Sequence, residues 1–541
     1  MHAYVAEEFT EAERVVLRRY FTNLDGPVFA LVNLPEVVKG ALFARYSRAT
    51  KSLRRLFLDE FVDDLDLTGD ASIDATVGVG RADELYQRIF FEYGDDSVAQ
   101  LGGVHLACEQ ASNVLTKVLE RGRLMSYLEQ STRYLGYDRR LPNGHYRFYR
   151  DHDVLESRFG ARYVGEMDRM FDTYAALLPR MTEWLSVRYP KTAEDTDFVY
   201  RQAIRAKALD AVRGLLPASA LSNLGIYGSG QAYESLLLRM RAHPLPEVNH
   251  YAGLMQRELE KVIPSFLKRL DVPERGGQWV TYLAERRSRT TALLARWGTP
   301  DVAPEDDQRV HLVAFDPDGE RRVLEAIVFE TAGVSTAGAA AAVASLTDVQ
   351  RGELMATYVG KRSNRRHRPG RAFEQTSYEF ELVTDYGAFR DLQRHRLATI
   401  EWQPLSPDLG YEVPEVVTEA GLAQPYVESL ERSGEFARDL AEEFPTQSQY
   451  CVALAFNIRY RILMNAREAM HLIELRSSPQ GHPSYRRVAH DMARLIRTGA
   501  NHGLIADSMQ FVDYSDTDLE RLEAERRAER ARVERDRTGL S

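Results

Sequence analysis

The chain has 541 residues, 44% of them hydrophobic and 28% charged, and its formal net charge at pH 7 is −10. A chain of this length usually needs two hydrophobic cores, so we expect two domains, and the acidic balance argues against a dedicated nucleic-acid-binding protein. The two cysteines, Cys108 and Cys451, are too few for a disulfide framework or a thiolate metal cluster and are typical of a reducing cytoplasm.

The first part of the chain is predicted to be mainly helical. Apolar residues recur with a helical period over residues 168–189, 200–216 and 281–297. The apolar stretch VHLACEQAS around Cys108 is interpreted as helical too. The acidic N-terminus lacks a signal-peptide pattern, and no apolar run approaches the roughly 18–20 residues of a membrane span. We therefore expect a cytoplasmic protein with neither membrane nor nucleic acid as its partner.

A change of composition at residues 298–308 marks the predicted boundary between two domains. GTPDVAPEDDQ at these positions is rich in Pro, Gly and Asp, as linkers are. The alternating run VHLVAFDPDGE that follows predicts a strand and a turn. The predicted domains are therefore residues 1–297 and 309–515. Residues 516–541 are almost wholly charged and are predicted to form a solvated tail helix.

The second part is predicted to combine a few strands with helices. YEFELVTDY at residues 378–386 alternates as a strand does, and GAAAAVASL at residues 338–346 predicts a packed helix. Residues 457–476 are interpreted as one long helix. The basic cluster KRSNRRHRPGR at residues 361–371 lacks interleaved aromatic residues, so we interpret it as a mobile loop or an anion-binding loop rather than a nucleic-acid contact.

A repeated arginine pattern divides the chain into two related halves. Arg121-Gly122-Arg123 in the first half has a counterpart in Arg394-His395-Arg396 in the second. Each half later carries an arginine at the end of an apolar helix, Arg239 and Arg476. This repetition predicts an old duplication with unequal divergence, the first half being longer through an insertion within residues 136–193.

The arginine pattern favours binding of a phosphorylated ligand. Arginines spaced as Arg-x-Arg can each form a two-pronged contact with a phosphate group. In the first half Glu129, Ser131 and Arg133 follow at short range and add an acceptor, a hydroxyl and a cation, which suits a nucleotide. A second interpretation stays open, in which Glu129 and Arg133 form an ordinary ion pair on a helix surface.

A further polar group is predicted on the long helix of the second half. Arg467, His471 and Glu474 have i, i+4, i+7 spacing and share one face of this otherwise apolar helix. The face is either a wall toward a cofactor or a solvated surface. His367 and His482 have no Cys or His partner at metal-ligand spacing, so no metal site is predicted.

These stretches resemble the flavin-dependent thymidylate synthase family. Its signature reads Arg-His-Arg, seven residues, Ser, one residue and Arg. The first half matches it from Arg121 to Arg133 except at Gly122, and Arg394-His395-Arg396 matches its start.

Two further segments carry the resemblance. DAVRGLLP, residues 210–217, is similar to the family's Glu-x-x-Arg-x-x-Leu-Pro segment, with an aspartate for the glutamate and Arg213 in place of the nucleotide-binding arginine. NAREAMHLIELR, residues 465–476, resembles the family's flavin-contacting helix. In the first half Gly228 and Gly230 are expected at the Asn and Arg positions of that helix.

The resemblance implies that the two halves have kept different parts of a site. The first half would bind the nucleotide, with Ser131 and Arg239 as the catalytic residues. The implied nucleotide-binding residues are Arg121, Arg123, Glu129, Ser131, Arg133, Arg213 and Arg239. The implied flavin-binding residues are Arg394, His395, Arg396, Asn465, Arg467, His471 and Arg476. In the second half Pro404 and Ser406 replace the serine and the following arginine of the signature.

The activity that the family implies is the reductive methylation of dUMP to dTMP. Methylenetetrahydrofolate would supply the carbon, NADPH would reduce FAD, and the reduced flavin would supply the hydride. Two alternatives stay open: a flavoenzyme of the same fold acting on another pyrimidine nucleotide, and an inactive relative that binds nucleotide or flavin. A thymidylate synthase with a cysteine nucleophile is disfavoured, because neither cysteine has an activating neighbour in the sequence.

The implied fold is α/β (α+β), with two related helix-rich domains, each a small mixed sheet packed on long helices. Family members are homotetramers whose sites combine residues of several subunits. Each chain is therefore expected to act as a fused pseudo-dimer, and two chains are expected to form a homodimer equivalent to the tetramer.

Overall fold

The computed structural model describes residues 3–62, 100, 102–193, 195–298, 308–515 and 526. The predicted linker at residues 298–308 lies outside the described residues except at its two ends. The predicted tail helix at residues 516–541 also lies outside them except for Arg526, whose Nε donates to Asp195 Oδ1 over 2.6 Å.

The first half, up to residue 298, contains four described strands that alternate with helices. The strands are β1 (Val28–Leu31), β2 (Gly103–Ser112), β3 (Met125–Glu129) and β4 (Leu221–Ser229). The α-helices are α1 (Glu11–Leu17), α2 (Glu36–Tyr46), α3 (Leu53–Glu60), α4 (Asn113–Leu119), α5 (His152–Glu156), α6 (Gly160–Arg188), α7 (Asp197–Val212), α8 (Gly230–Arg241), α9 (Pro246–Glu260), α10 (Pro264–Leu267) and α11 (Gln278–Trp297).

The second half repeats the pattern of strands and helices. Its described strands are β5 (Val310–Phe315), β6 (Ser377–Asp385), β7 (Thr399–Trp402) and β8 (Asn457–Asn465). Its α-helices are α12 (Gly319–Ala332), α13 (Thr336–Ser345), α14 (Asp348–Val359), α15 (Tyr386–Leu392), α16 (Glu415–Glu419), α17 (Ala423–Ala441), α18 (Ala466–Arg476), α19 (Pro483–Thr498) and α20 (Gly503–Ser508).

Each half builds one four-stranded sheet on which helices pack. The strand orders are β1-β2-β4-β3 and β5-β6-β8-β7, so the two sheets have the same topology. The predicted α+β class with two related halves is confirmed. The prediction of mixed sheets is wrong, because every pair of neighbouring strands in both sheets runs antiparallel.

Two stretches with a helical prediction form central strands instead. Cys108 lies in β2, which pairs with a strand on each side and is largely buried on both faces. A strand of this kind has a continuous apolar run that periodicity does not separate from a buried helix. Residues 457–465 form β8 before α18 begins at Ala466. The buried residues of β8 alternate with more exposed ones through most of the strand: Ile458, Tyr460, Ile462 and Met464.

The other predicted helices and strands that fall within the described residues are confirmed. The predicted helices correspond to α6, α7, α11 and α13, and the strand predicted after the linker corresponds to β5. In β6 Tyr378, Phe380 and Leu382 are buried and alternate with partly exposed residues. This strand therefore turns one apolar face toward the core, as a period of two requires.

The strand pairings align the two halves residue by residue. Strand β2 has a bulge between Cys108 and Ala111, where Gln110 adopts a φ of 55°, whereas the pairing of β6 with β8 is continuous. After the bulge, Ser112 ends β2 and caps α4 just as Asp385 ends β6 and caps α15.

The described chain forms two compact units that are discontinuous in sequence. The first unit comprises Met1–Leu178, Leu215–Ala303 and Gln424–Ala453, and the second comprises Pro179–Gly214, Pro304–Ala423 and Leu454–Ser541. A segment of each half therefore belongs to the unit formed mainly by the other half. The predicted division at residues 298–308 stays a prediction.

Contacts inside each unit hold these two exchanged segments in place. In the first unit Arg432 Nη2 of α17 lies 3.0 Å from a carboxylate oxygen of Glu166. In the second unit the Gly214 carbonyl, just after α7, accepts from the Ala455 N–H over 2.9 Å. The exchange matters for the site, because it brings Arg213 into the second unit.

Within the described residues no single helix combines the length and the apolarity that crossing a membrane requires. Helices α12 and α13 pass that test only when they are taken together, and the chain bends by 118° between them.

Candidate functional site

The site in the first unit is built around the turn between α4 and β3. Ser112 caps α4, its Oγ accepting from the Leu115 N–H over 3.0 Å, and the helix ends at Leu119. Arg121 and Arg123 follow in the turn before β3 and are both exposed. The helix end thus presents the Arg-x-Arg pair to solvent.

Glu129 lies at the end of β3 and belongs to a buried group of charges. Lys117 Nζ lies 3.1 Å from a carboxylate oxygen of Glu129 and 2.5 Å from one of Glu120, and all three side chains are buried. The interpretation of Glu129 and Arg133 as an ion pair on a helix surface is wrong, because Glu129 ends a strand and Arg133 follows in a loop.

Ser131 and Arg133 lie in that loop and are partly exposed. Ser131 Oγ accepts from the Arg133 backbone N–H over 3.3 Å, and the Ser131 backbone N–H donates to the Ser47 carbonyl over 3.2 Å. The Arg48 guanidinium lies 5.3 Å from the centre of the Tyr134 ring. These contacts hold the predicted hydroxyl and cation on one loop.

Cationic side chains of the first unit influence one another around Arg121. Burial lowers the pKa of Arg239, and the charge of Arg121 lowers it further. Burial also lowers the pKa of His243 to about 4, helped by Arg287 and Arg121. Desolvation and Arg121 lower the pKa of Arg287 in the same way. Such a concentration of positive charge attracts anions.

The caps of α8 and α18 correct the sequence alignment of the halves by one residue. Ser229 Oγ accepts from the third N–H of α8 over 3.3 Å, and Asn465 Oδ1 accepts from the third N–H of α18 over 2.9 Å. Ser229, and not Gly228, is therefore the counterpart of Asn465. By the same register Gln231, and not Gly230, is the counterpart of Arg467.

This register also separates Arg239 and Arg476, which the sequence pattern predicts to be equivalent. Arg239 corresponds to Leu475, and Arg476 corresponds to Met240. The two arginines stand one residue apart on their helices, so they leave those helices in directions that differ by about 100°. Each unit therefore has an arginine of its own where the other unit has an apolar side chain.

In the second unit His395 lies buried in the turn after α15, with both ring nitrogens engaged. Its Nδ1 lies 3.0 Å from Glu468 Oε1, and its Nε2 accepts from Arg476 Nε over 3.0 Å. Because the arginine can only donate, His395 carries its proton on Nδ1 and donates it to Glu468. Burial and then the charge of Arg476 place the pKa of His395 well below its usual value, so the ring is neutral.

Glu468 is a buried acid in the first turn of α18. Burial raises its pKa to about 7, although Arg368 and Arg467 oppose the shift. Its Oε2 is buried and has no hydrogen-bond partner among the described residues. This oxygen is therefore placed to exchange a proton near neutral pH. The sequence signal for Glu468 is an acid three residues after the Asn465 cap.

Asp391, in the last turn of α15, collects three arginines. Arg394 Nη2 forms a short contact with Oδ1, and Arg476 Nη1 lies 3.7 Å from the same oxygen. Arg213 Nη1, from the exchanged segment, lies 4.0 Å from Oδ2. The sequence gives no signal for this role of Asp391, because the three arginines come from three separate parts of the chain.

His471 faces the basic loop at residues 361–371. Its ring centre lies 5.6 Å from that of His395. Burial lowers its pKa to about 4, and Arg368, Arg365, Arg476 and Arg467 lower it further. The loop thus adds positive charge to the second unit, which supports the anion-binding interpretation of residues 361–371.

Arg467 and Glu474 take different roles on α18. Arg467 Nε donates to the Pro369 carbonyl over 2.8 Å, which ties α18 to the basic loop. Glu474 is buried and pairs with Arg362 over 2.5 Å. The interpretation of Arg467, His471 and Glu474 as a solvated face is therefore wrong for Glu474, because its carboxylate anchors the loop from inside. Arg396 is exposed after the turn.

The chain matches a family described as "Thymidylate synthase complementing protein" over residues 44–265 and again over residues 312–500. The two matches cover most of both halves. The chain belongs to this family. Its two matched regions confirm a tandem member that carries two diverged copies of the family's domain.

Several relatives match this chain over almost their whole length. A UPF0159 protein of Chlamydia muridarum (strain MoPn / Nigg) is 39% identical over 524 residues, covering 96% of this chain and 98% of the relative. A UPF0159 protein of Chlamydia pneumoniae is 38% identical over 530 residues, covering 97% and 98%. A UPF0159 protein of Thermoplasma acidophilum is 32% identical over 514 residues, covering 90% and 97%.

The structure divides the residues that the family resemblance selects. In the first unit it places Arg121, Arg123, Glu129, Ser131, Arg133 and Arg239. In the second unit it places Arg213 and all the predicted flavin-side residues: Arg394, His395, Arg396, Asn465, Arg467, His471 and Arg476. Arg287 and His243 of the first unit join its site without a sequence signal, because they become neighbours of Arg121 only when the chain folds.

A metal site and a cysteine nucleophile both fit the structure less well than anion binding does. His395, Glu468 and His471 have ligand atoms within 4.8 Å of one another, a spacing that a metal ion could use. The charges of Arg365, Arg368, Arg467 and Arg476 around His471 oppose a divalent cation at that place. Cys108 and Cys451 are buried, and burial raises the pKa of both thiols, so neither is an activated nucleophile.

Proposed function

We propose that the protein is a flavin-dependent thymidylate synthase that converts dUMP to dTMP in the cytoplasm, with FAD as cofactor and NADPH and methylenetetrahydrofolate as co-substrates. Membership of the thymidylate synthase complementing family supports the reaction type. The observation that carries the proposal is the division of the family's residues, with an arginine cluster in the first unit and a family-like flavin helix in the second.

The first-unit cluster suits the phosphate of the nucleotide. Burial and the charge of Arg121 lower the pKa values of Arg239, Arg287 and His243, so Arg121 stands among other groups that can carry positive charge. An incoming phosphate would relieve this repulsion and accept two-pronged bonds. Ser131 would contact the pyrimidine from the loop after β3.

The second unit fits a flavin. The positive charges of Arg365, Arg368 and Arg467 lie around His471 and would hold the diphosphate of FAD. Glu468 Oε2, which has no hydrogen-bond partner in the described part of the chain, would offer a hydrogen-bonding group to the ring system. When bound, FAD supplies the hydride that the reaction needs, and the protein binds, orients and excludes water.

The residues of the second unit also hold a proton. Since the pKa of Glu468 lies at about 7, its Oε2 is protonated in a large fraction of molecules at neutral pH. His395 keeps its Nδ1 proton on Glu468 Oε1 and stays neutral. Glu468 Oε2 is therefore the atom that would give or take a proton beside the bound ligands.

A homodimer is part of the proposal. Each chain would act as a fused pair of family domains, and two chains would supply the four domains of the family's tetramer. Light scattering of the purified protein tests this assembly, and we expect about twice the chain's mass of 61.6 kDa. The mass of one chain would contradict it.

The decisive experiment is the absorption spectrum of the purified full-length protein with and without FAD. We expect oxidised-flavin bands that shift when dUMP is added, followed by dTMP formation and rescue of a thymidine auxotroph. Arg133→Ala should abolish the dUMP-induced shift, whereas Arg289→Ala, which removes a surface pair with Glu285, should not. A colourless protein that takes up no FAD would contradict the proposal.

The same experiment separates the alternatives. Flavin bands that respond to another pyrimidine nucleotide, without rescue of the auxotroph, would identify a flavoenzyme with a different substrate. Flavin bands that respond to dUMP without turnover would identify a binding protein. The replacement of the signature serine and arginine by Pro404 and Ser406 favours a single nucleotide site for each chain under all these outcomes.

A further inference from the structure

Three guanidinium groups of the second unit converge on the carboxylate of Asp391. Arg394 contacts Oδ1 closely, and Arg476 lies 3.7 Å from Oδ1 while its Nη2 donates to the Asp391 backbone carbonyl over 2.5 Å. Arg213 reaches Oδ2 at 4.0 Å. We call Arg213, Arg394 and Arg476 the second-unit arginine cluster. Asp391 occupies the point at which their charges meet.

Arg213 is the member of this cluster with unused hydrogen-bonding capacity. Its side chain is only 5% exposed, and its Nη2 is buried with no hydrogen-bond partner among the described residues. The guanidinium packs over Gly387 at the start of α15, where an added Cβ would lie 3.1 Å from Nη2. The glycine thus leaves room for a buried arginine that extends along α15 from Gly387 to Asp391.

A buried guanidinium N–H without a partner among the described residues calls for an acceptor from outside the chain, such as a water, an ion or a ligand. A phosphate would be the natural ligand of three converging arginines. In this chain a carboxylate already stands at the convergence point, so a phosphate would have to approach a fixed negative charge. Like charges placed side by side in a poorly solvated site strongly disfavour binding.

We propose that Asp391 is a specificity-determining residue that keeps phosphate groups out of the second-unit arginine cluster and leaves Arg213 Nη2 for an uncharged acceptor such as a carbonyl oxygen. The phosphorylated nucleotide is then bound by the arginines of the first unit, where no carboxylate holds the equivalent position. This assignment rests on the proposed function only for the identity of that nucleotide.

The first unit offers the natural comparison for Asp391. Asp391 stands three residues before Arg394, and the residue three before Arg121 is Val118, which has no charge. The strand registers of the two sheets make these positions equivalent. The two sites therefore share an arginine at one position and differ at the position that sets the net charge.

The test is a titration of the purified full-length protein with inorganic phosphate by calorimetry at low ionic strength. Four proteins are compared: the natural chain, D391N, R213A and the double variant D391N/R213A. The asparagine keeps the size of the side chain and removes its charge. We expect D391N to bind one more equivalent of phosphate than the natural chain, with an affinity for the cluster raised by about 10-fold to 100-fold.

The added phosphate binding of D391N should vanish in D391N/R213A, because Arg213 supplies the N–H donor that would bind the phosphate. R213A alone should bind phosphate as the natural chain does. D391Q is made in parallel and should behave as D391N does, so a folding defect of one amide variant leaves the other to report. Circular dichroism establishes that each variant is folded.

Three results would overturn the proposal. The first is a folded D391N or D391Q with no added phosphate binding. The second is a loss of phosphate binding in R213A alone, which would mean that phosphate already enters this cluster. The third is unfolding of both amide variants, which would make Asp391 a structural counter-ion. The titration uses neither flavin nor turnover. Its results would therefore still test the role of Asp391 if the thymidylate synthase proposal failed.

Discussion

In both units a hydroxyl and a carboxylate form a hydrogen bond at the start of the helix that follows a central strand. The group that caps the helix in one unit is the group that a second helix supplies in the other. In the first unit Ser112 caps α4 and its Oγ donates to Glu247 of α9 over 2.5 Å. In the second unit Asp385 caps α15 and accepts a short bond from Ser484 Oγ at the start of α19. The hydroxyl–carboxylate contact has survived, although the two partners have exchanged places.

The comparison shows that the duplicated halves have kept a structural contact while the side chains at their candidate sites diverged. The second unit has Asp391, His395, Glu468 and Arg476 where the first has Val118, Gly122, Ala232 and Met240. A contact between a strand end and a helix positions the turn in both units. The side chains at these equivalent positions differ between the halves, although the caps that position the turn have been kept.

The largest expected effect is a loss of dUMP affinity when an arginine of the first unit is removed. Arg239→Ala should weaken dUMP binding by about 100-fold, because it removes a charge-assisted contact to the phosphate from a partly buried place. Fluorescence or calorimetric titration measures the affinity. Arg289→Ala in α11 serves as the control, since Arg289 pairs with Glu285 on the surface. Unchanged dUMP affinity in Arg239→Ala would assign the phosphate to another site.

The exchanged contact predicts a pH dependence of stability in the first unit. Burial raises the pKa of Glu247 to about 7, and the three hydrogen bonds it accepts from Ser112 and Tyr450 oppose this shift. The folded state thus binds the proton more tightly than the unfolded state. The stability that the protonated Glu247 contributes to the folded state is fully present below pH 4.5, and it is lost as pH rises through about 7.

We therefore expect the free energy of unfolding to fall by roughly 3 kcal/mol over that window. Glu247→Gln should remove this share of the pH dependence in urea unfolding curves recorded from pH 4.5 to 7.5, whereas the share of Glu468, whose pKa is also raised to about 7, should remain. Ser484→Ala, the matched change in the second unit, should lower stability by about 1 kcal/mol and leave the slope in place. A Glu247→Gln protein with the same slope as the natural chain would contradict the explanation.

A smaller effect is expected when the charge difference between the units is reversed. Val118→Asp places a carboxylate in the first unit where Asp391 stands in the second. Phosphate affinity of the first unit should fall by about 10-fold relative to Val118→Asn, which has the same size without the charge. Equal affinities of the two variants would show that the position does not face the bound anion.

The smallest expected effect concerns flavin binding. Above pH 7 the Glu468 carboxyl loses its proton, because burial raises its pKa to about 7. The added negative charge should weaken binding of the anionic cofactor by a few-fold, about 0.5–1 kcal/mol, between pH 6 and pH 8. Glu468→Gln should give a flat profile in fluorescence titrations with FAD. A natural chain with a flat profile would show that Glu468 does not sense the flavin.

Sequence alone determined several features of the protein. The recurring arginine patterns revealed the two halves and the family, since a repeat can be recognised without any knowledge of contacts. Periodicity identified α6 and α7, which bury one face and expose the other. It also identified α11 and β5, although no residue of α11 is buried. It missed β2, because a central strand that is buried on both faces resembles a buried helix. It also led to one helix where β8 and α18 follow each other, although the buried residues of β8 alternate.

Only the tertiary structure decided which residues meet. Arg213 joins Asp391 because the segment that carries α7 belongs to the second unit, and linear order does not predict an exchange of segments. Glu468 and His395 are 73 residues apart, and strand pairing brings them within a hydrogen bond. The one-residue shift between Arg239 and Arg476 likewise depends on helix caps. Burial and charge then set the pKa values on which the proposed chemistry depends, and neither is a property of one residue in isolation.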